Sequence, residues 1–187
     1  MKQRFCFIVF AALVFAGTTP VFAQENGRLK EGDTITGFFL RDLKGENFFL
    51  NDHVGGNAKI KCKGILFSFC ASWCKPCRKE IPELGELYNK YKDTGILFYL
   101  VDVGEDKDKT SGFAAEIKSP IPMLMDRYQK ALEQVGRPGL PHTILVDSAG
   151  TVQFINTGFA ESSADEIIEK LEQKLKALAG SGTGGSS

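Results

Sequence analysis

The chain has 187 residues, and its 23 basic and 23 acidic side chains give a formal net charge of zero at neutral pH. This length is sufficient for one domain with a buried core. Binding to nucleic acid or to an anionic membrane surface depends on an excess of Lys and Arg, which the chain lacks. We therefore expect no nucleic-acid partner.

Residues 1–23 have the pattern of a secretory signal peptide. Lys2 and Arg4 form a short basic region, residues 6–17 are apolar, and Ala23 ends a small-residue cleavage pattern. The apolar stretch is shorter than the about 20 residues that a membrane-spanning helix needs. We therefore expect removal of this segment and export to the periplasm or to the outer face of the cytoplasmic membrane. An uncleaved membrane anchor is the alternative.

Composition and hydrophobic period predict the following segments in chain order. A polar linker at 24–33 precedes the domain at 34–179, and the Gly/Ser-rich residues 180–187 are expected to form a flexible tail. The domain begins with a hairpin of two strands, at 38–41 and 47–50.

A continuous apolar run predicts a buried strand at 64–69. A helix at about 75–93 follows, with its apolar side chains on one face. A second buried strand covers 96–103. Two buried strands of this kind indicate a central sheet that is covered on both faces.

The second half of the domain is predicted to contain two short helices, three strands and a long last helix. Asp126 is expected to cap the second short helix, and Gly136 is expected to end it. A capping-box pattern at 163–166 opens the last helix. In chain order the other bounds are helix 111–117, strand 122–125, helix 127–135, strand 143–147 and strand 151–156.

Two cysteines two residues apart stand between a predicted strand and a predicted helix, in the run 73–77 (WCKPC). This context indicates a redox centre whose two sulfurs can close a disulfide. Unpaired backbone N–H groups and the dipole at the helix start favour a thiolate on Cys74, which is the predicted nucleophile. Cys77 lies almost one turn further along and is the predicted resolving thiol.

Three side chains beside the cysteines are further candidates. Lys75 can stabilise the thiolate through its charge, with a solvated cation as the alternative. Pro76 presets the first turn of the helix, where its missing N–H costs nothing. Glu80 follows Cys77 by three residues and is the nearest carboxylate in the sequence for proton transfer, with a surface glutamate as the alternative.

A metal site is the main alternative for a Cys-x-x-Cys pair. Tetrahedral zinc needs four ligands and this pair supplies two, while Arg78 stands where covalent haem attachment needs His. Cu(I) held by Cys70, Cys74 and His142 would instead make the chain a metallochaperone. We expect redox exchange, with no metal and no cofactor.

Cys62 and Cys70 are not expected to stabilise the fold as a disulfide. Along an extended strand they would lie roughly 26 Å apart, well beyond the about 7 Å that a disulfide allows between Cα atoms. Cys70 is instead predicted to be a small buried hydrophobe.

The order of elements predicts a thioredoxin-like α/β fold, a central mixed sheet flanked by helices, with an N-terminal β-hairpin and an αβ insertion at 105–126. The chain resembles the thioredoxin superfamily, and most closely its exported TlpA/ResA-like branch, from about residue 30 to residue 178. The stretches that carry the resemblance are 39–45 (FLRDLKG), 67–82 (FSFCASWCKPCRKEIP), 139–147 (GLPHTILVD) and Gly150.

The resemblance implies a thiol–disulfide oxidoreductase, and we expect it to reduce disulfides in client proteins. In this family the clients include apocytochrome c, and we expect a membrane thiol–disulfide protein as the electron donor and a monomeric enzyme. A disulfide oxidase or isomerase on the same fold is the nearest alternative. A peroxidase is disfavoured, because peroxiredoxins have Thr where this chain has Ala71.

The resemblance also implies roles in substrate binding. Pro141 matches the cis-proline that faces the cysteines in this fold, and together with Leu140 it would offer backbone groups to an extended substrate segment. Trp73 would lie over the site and shape substrate access. His142 would contact substrate or influence the thiols, with a histidine at the rim of the sheet as the alternative.

One departure from the superfamily bears on proton transfer. Thioredoxins commonly have a buried acid at the position of Ser68. A serine hydroxyl does not ionise near neutral pH, so Ser68 cannot accept a proton in place of that acid. In the ResA-like branch the glutamate that matches Glu80 tunes the thiols, so the resemblance implies the same role here.

Overall fold

The computed structural model describes residues 28–181. The predicted signal segment 1–23, residues 24–27 of the predicted linker and the residues beyond 181 lie outside the described residues. Within the described part of the chain, no helix is long and apolar enough to cross a membrane.

Strands and helices follow one another along the described residues largely as the hydrophobic pattern predicts. The strands are β1 Phe39–Asp42, β2 Asn47–Phe49, β3 Gly64–Cys70, β4 Ile96–Val103, β5 Met123–Asp126, β6 His142–Asp147 and β7 Val152–Thr157. The α-helices are α1 Lys75–Tyr91, α2 Lys107–Ile117, α3 Lys130–Gln134 and α4 Ala164–Gly180.

The strands form one mixed sheet in the order β2-β1-β5-β4-β3-β6-β7. β4 pairs in parallel with both β3 and β5, whereas β6 is antiparallel to β3 and to β7. The hairpin β1–β2 extends the sheet through antiparallel pairing of β1 with β5. The predicted thioredoxin-like arrangement, with its hairpin and its inserted α2 and β5, is confirmed.

The sheet separates two apolar cores, because side chains alternate between the two faces along each strand. On one face Leu66, Leu100 and Leu145 pack with buried side chains of α1 and α4. On the other face Phe67 and Ile144 pack with the hairpin and with α3. β3 is buried along its whole length, as expected for a central strand covered on both sides.

Helix α2 is longer than the sequence predicts. It begins at Lys107 rather than near residue 111, because the Asp106 carboxylate accepts a hydrogen bond from the Lys109 backbone N–H at 3.1 Å. An acid in this position satisfies one of the unpaired N–H groups of the first turn and fixes the start of the helix. The sequence interpretation overlooked this cap.

The starts of α3 and α4 also differ from the prediction. α3 begins only at Lys130, although Asp126 still accepts hydrogen bonds from the backbone N–H groups of Lys130 and Leu132, both at 2.8 Å. The predicted capping box of α4 is wrong, because Ser163 makes no side-chain capping bond and its hydroxyl donates to the Ala160 carbonyl at 3.3 Å.

The last residues of the predicted linker are hydrogen-bonded to the sheet. The Gly32 N–H donates to the Val152 carbonyl and the Val152 N–H donates to the Asp33 carbonyl, both at 2.8 Å. Thr34 then forms a β-bridge with Thr151. The folded domain therefore includes residues before the predicted boundary at 34.

Three chain segments meet at one end of the sheet. Cys70 at the end of β3 lies opposite Asp102 near the end of β4, and His142 at the start of β6 lies opposite Phe69. The loop between β3 and α1, the residues after β4 and the residues before β6 consequently lie together. Open α/β sheets bind ligands beyond the carboxyl ends of their parallel strands, which is this end of the molecule.

Candidate active site

Cys74 and Cys77 lie at the start of α1 and are joined by a disulfide. Cys74 is the N-cap residue, and the Cα atoms of the two cysteines are 5.3 Å apart. The Cys77 backbone N–H donates a hydrogen bond to Cys74 Sγ at 3.2 Å. A donor aimed at this sulfur stabilises a negative charge on it, in addition to the dipole of the helix.

The surroundings of the disulfide are exposed on one side only. Trp73 is 69% exposed, whereas Cys74 is 3% exposed and Cys77 is fully buried. Lys75 and Pro76, the two residues between the cysteines, are exposed, and the proline occupies the first turn of α1. A partner can thus reach Cys74 more readily than Cys77.

Glu80 points into the core beneath the first turns of α1, and it is 1% exposed. Its carboxylate accepts hydrogen bonds from the Ser68 hydroxyl at 2.9 Å and from the Thr143 hydroxyl at 2.7 Å. Burial raises the pKa of Glu80 to about 7, against the two hydroxyl donors, which lower it. The alternative of a surface glutamate is therefore wrong, and this carboxyl group can gain or lose a proton near neutral pH.

Thr143 is a residue of the site that sequence reasoning missed. It pairs with Ser68 across the β3–β6 ladder, so both hydroxyl groups face α1 on the same side of the sheet. The signal that would have found it is this strand pairing, which the local pattern of either strand does not contain. At the position where thioredoxins have a buried acid, Ser68 donates its hydroxyl to the carboxylate of Glu80 on α1.

The segment before β6 carries the predicted substrate-facing residues. The Leu140–Pro141 peptide bond is cis. The Pro141 carbonyl accepts a hydrogen bond from the Gly158 N–H at 2.7 Å, which ties this segment to the end of β7. Leu140 is partly buried and packs against both apolar cores. The segment lies at the same end of the sheet as the disulfide.

His142 is the first residue of β6, and its side chain is buried. It is 2% exposed, and it faces the side of the sheet opposite to Thr143, where its ring lies 6.1 Å from the Phe69 ring. Its Nδ1 hydrogen-bonds the Thr157 hydroxyl at 2.8 Å. Burial lowers the pKa of His142 to about 4. The position at the start of β6 agrees with the alternative of a strand-start histidine, and the burial does not favour a side-chain contact with substrate.

The buried position of His142 also argues against the Cu(I) site with Cys70, Cys74 and His142 as ligands. Cys70 faces the α1 side of the sheet, and His142 faces the other side. Among residues 28–181, no three His, Cys, Asp or Glu side chains come together as a metal site. Cys62 and Cys70 are free thiols in the described structure.

Cys70 is buried next to the site, as predicted. Burial raises the pKa of the Cys70 thiol well above its ordinary value, and the nearby carboxyl groups of Asp102, Glu80 and Glu105 raise it further. The thiolate is the reactive form of cysteine, so we expect Cys70 to react slowly at neutral pH.

The loop between β3 and α1 is held from two sides. Arg78 donates from Nε and Nη2 to the Ser72 carbonyl, at 3.2 and 2.7 Å, and its guanidinium lies 5.2 Å from the centre of the Phe113 ring. Glu105 accepts from the Ser72 backbone N–H and from its hydroxyl, both at 2.7 Å. Sequence reasoning missed both anchors, since they link segments that are distant in the chain.

Comparison with known proteins places this chain in a family. The chain matches the AhpC/TSA family over residues 32–155. It is 32% identical to the thiol-disulfide oxidoreductase ResA of Geobacillus kaustophilus, over 94% of this chain and 95% of that protein. It is 33% identical to ResA of Geobacillus thermodenitrificans, over 92% of this chain and 93% of that protein.

A solved structure from Chlorobium tepidum, assigned as the thiol:disulfide interchange protein DsbE, has a TM-score of 0.69 at 27% identity, over 81% of this chain and 99% of that chain. The fold and the Cys74–Cys77 pair are those of a thioredoxin-like thiol–disulfide oxidoreductase. The chain belongs to the AhpC/TSA family.

Proposed function

We propose that this enzyme is exported and reduces disulfides in client proteins. The observation that carries the proposal is the disulfide across the start of α1, beside a buried carboxyl group whose pKa lies near neutrality. The likeness to ResA and DsbE proteins supports it. Disulfide exchange needs one thiolate that attacks and a second thiol that resolves, and this site supplies both.

In the reduced enzyme, the Cys74 thiolate attacks one sulfur of a client disulfide. The client S–S bond breaks, a mixed disulfide with Cys74 forms, and the other client sulfur leaves as a thiolate. Cys77 then loses its proton to Glu80 and attacks Cys74 Sγ, which releases the second client thiol and closes the Cys74–Cys77 disulfide. Two electrons pass from the enzyme to the client, and a membrane dithiol donor returns them.

Glu80 suits the proton transfer for a physical reason. Cys77 is fully buried, so water cannot readily take its proton. Glu80 lies three residues further along the same helix, which is the spacing of neighbouring side chains on one helix face. A carboxyl group with a pKa near 7 can accept this proton and later release it.

The remaining site residues bind the client or support Cys74. We assign Trp73 and the backbone of Leu140 and Pro141 to an extended client segment, with the exposed indole covering it. Lys75 supports the thiolate electrostatically, and Pro76 shapes the first turn. We assign no client contact to the His142 side chain, because it is buried on the face of the sheet opposite to α1.

The location and the partners are part of the same proposal. The basic and apolar pattern of residues 1–23 supports export to the periplasm or to the outer face of the membrane. The client class is proteins with disulfides, for which apocytochrome c is the candidate suggested by the family, and the enzyme acts as a monomer.

A trapping experiment tests the proposal. Cys77→Ser removes the resolving thiol, so mixed disulfides with clients should accumulate on Cys74 and disappear when a reductant is added. The matched variant Cys74→Ser should accumulate none. The opposite pattern, or no adducts from Cys77→Ser while Cys74 still reacts with an alkylating agent, would contradict the assigned roles.

A further inference from the structure

A second carboxyl group is buried close to the active site. Asp102, near the end of β4, is completely buried and lies opposite Cys70 in the β3–β4 ladder. Its Oδ2 accepts a hydrogen bond from the Thr110 hydroxyl of α2. Its Oδ1 is buried and has no hydrogen-bond partner when the group is ionised. A buried carboxylate oxygen without a donor is costly, so its protonation state needs an explanation.

Glu105 supplies that explanation. It is 7% exposed, and its carboxyl group is within hydrogen-bonding reach of Asp102. Two ionised carboxylates cannot hydrogen-bond each other and repel when they touch, whereas one shared proton removes both problems. A proton on Asp102 Oδ1 that is donated to Glu105 satisfies the unpartnered oxygen and leaves Glu105 free to accept both hydrogen bonds from Ser72.

We propose that Asp102 and Glu105 share one proton and act together as a positioning pair for the loop 71–73 that precedes Cys74. The pair touches neither the disulfide nor a client. It acts through Ser72, whose N–H and hydroxyl are both bound by Glu105. The contacts of the pair do not depend on the proposed function. An effect of the pair on disulfide exchange does rest on the proposed role of Cys74.

The direction of the pKa values agrees with the proton on Asp102. Burial, together with the hydrogen bond to Glu105 and its negative charge, raises the pKa of Asp102 to about 7, although the Thr110 hydroxyl lowers it. Burial opposes ionisation of Glu105 as well, but the hydrogen bonds from Ser72 and Asp102 outweigh it and lower the pKa of Glu105.

Other charged or titratable groups surround the pair on β3, α1 and α2, and Glu105 also lines a cavity with Lys107, Asp126, Arg127 and Lys130. Cys70 of β3 remains a neutral thiol, Glu80 of α1 titrates near pH 7, and Lys109 of α2 favours the ionised form of Glu105. Arg78 of α1 binds the Ser72 carbonyl and holds the loop from the opposite side. Glu80 titrates in the same range as Asp102, so a test must remove its contribution.

Loss of the shared proton should loosen the loop. Above the pKa of Asp102, two carboxylates would face each other, and Glu105 would be pushed away from Ser72. Trp73, the single tryptophan of the sequence, follows Ser72 directly and is exposed, so its fluorescence reports on this anchor.

The test is a pH titration of Trp73 fluorescence in the oxidised full-length chain, where Cys74 and Cys77 cannot titrate. The fluorescence of the unsubstituted chain and of Glu80→Gln should change with a midpoint near pH 7. In the Glu80→Gln background, Asp102→Asn should abolish the change, because its amide donates to Glu105 at every pH. A titration that is absent from Glu80→Gln, or that persists unchanged when Asp102→Asn is added to Glu80→Gln, would overturn the inference.

A second variant decides the matter if Asp102→Asn does not fold. Thr110→Val removes the hydroxyl that stabilises ionised Asp102, so the midpoint should move to higher pH, and an unchanged midpoint would refute the inference. No client is present in these measurements. Failure of the proposed reductase function would therefore leave the fluorescence result unaffected, and the two can fail separately.

Discussion

Glu80 carries its carboxyl group into the core beneath α1, where two hydroxyl groups from neighbouring strands bind it. Hydroxyl donors alone do not balance the loss of hydration, so the pKa rises to about 7. This carboxyl group is the proposed proton acceptor for Cys77, and it lowers stability whenever it is ionised. The effect on stability and the effect on the exchange rate can both be measured on Glu80→Gln.

The first prediction concerns stability. The pKa of Glu80 is raised from 4.5 to about 7 on folding, so the folded chain holds this proton longer than the unfolded chain does. The contribution of Glu80 to the free energy of unfolding therefore falls as pH rises from about 4.5 to about 7, by on the order of 3 kcal/mol. Glu80→Gln should remove this loss, because its amide can bind both hydroxyl groups without charge.

The difference between the two chains is the quantity to measure, by urea unfolding from pH 4 to pH 8. His142 acts with the opposite sign in an overlapping range, since its pKa is lowered to about 4 and stability is lost as pH falls from about 6.5. That contribution is common to both chains and cancels. A stability difference that does not vary with pH would contradict the raised pKa of Glu80.

The second prediction concerns the reaction. Glu80→Gln should slow disulfide exchange by about a hundredfold or more, because a general base contributes about 10²-fold to 10⁴-fold to the rate. Glu83→Gln is the matched control, since Glu83 is an exposed carboxylate on the same helix. Exchange rates of the Glu80 variant that equal those of the control from pH 6 to pH 9 would remove the proposed role.

Two glycines in the secondary-structure elements show how differently the backbone is constrained across the fold. Gly112 lies in the exposed middle of α2, and an added Cβ would meet no atom within 4 Å. Gly64 begins β3, and a Cβ there would lie 2.5 Å from the Val146 carbonyl oxygen of the adjacent strand. Position 112 has room for a larger residue, whereas position 64 has no room for a Cβ atom.

The third prediction follows from this contrast. Gly112→Ala should stabilise the protein by about 0.5 to 1 kcal/mol, which is the difference in helix propensity between the two residues. Gly64→Ala should destabilise it, because the backbone of β3 or β6 must shift to relieve the contact. Thermal unfolding of the two variants checks both signs, and a Gly64→Ala chain as stable as the unsubstituted one would show that β3 and β6 are less tightly packed.

Local sequence patterns were sufficient for most elements but not for all helix starts. Continuous apolar runs predicted β3 and β4, and the cysteine pair marked the start of α1. The shift of α2 came from Asp106, a cap that lies outside the apolar pattern used to place the helix. The absent cap at Ser163 shows the reverse case, in which a matching pattern does not form the hydrogen bond.

At the scale of the whole molecule, the site depends on strand order. The sequence predicted Cys74 and Cys77 because they belong to a local motif, and it predicted Pro141 through the resemblance to the thioredoxin superfamily. Thr143 and Asp102 escaped prediction, because they approach the site only when β6 and β4 take places on the two sides of β3. Alternation along β6 implies that positions 142 and 143 face opposite sides, but it does not say which side meets α1.

The arrangement of the sheet also explains why one end of the molecule carries the chemistry. Parallel strands β3 and β4 end together, and β6 begins beside them, so three connecting segments surround the disulfide. Each segment carries a different part of the candidate site: the cysteines follow β3, the two buried carboxyl groups lie at the end of β4, and the cis-proline precedes β6. The two cores beneath them hold these segments in place.

The reduction potential of the Cys74–Cys77 pair tests the central claim most directly. It can be measured in glutathione or dithiothreitol buffers through the fluorescence of Trp73, which is adjacent to Cys74. A reductase should have a potential near that of thioredoxin, about −270 mV, or lower. A potential towards about −120 mV, the value of a strong disulfide oxidant, would contradict the proposed direction of electron flow.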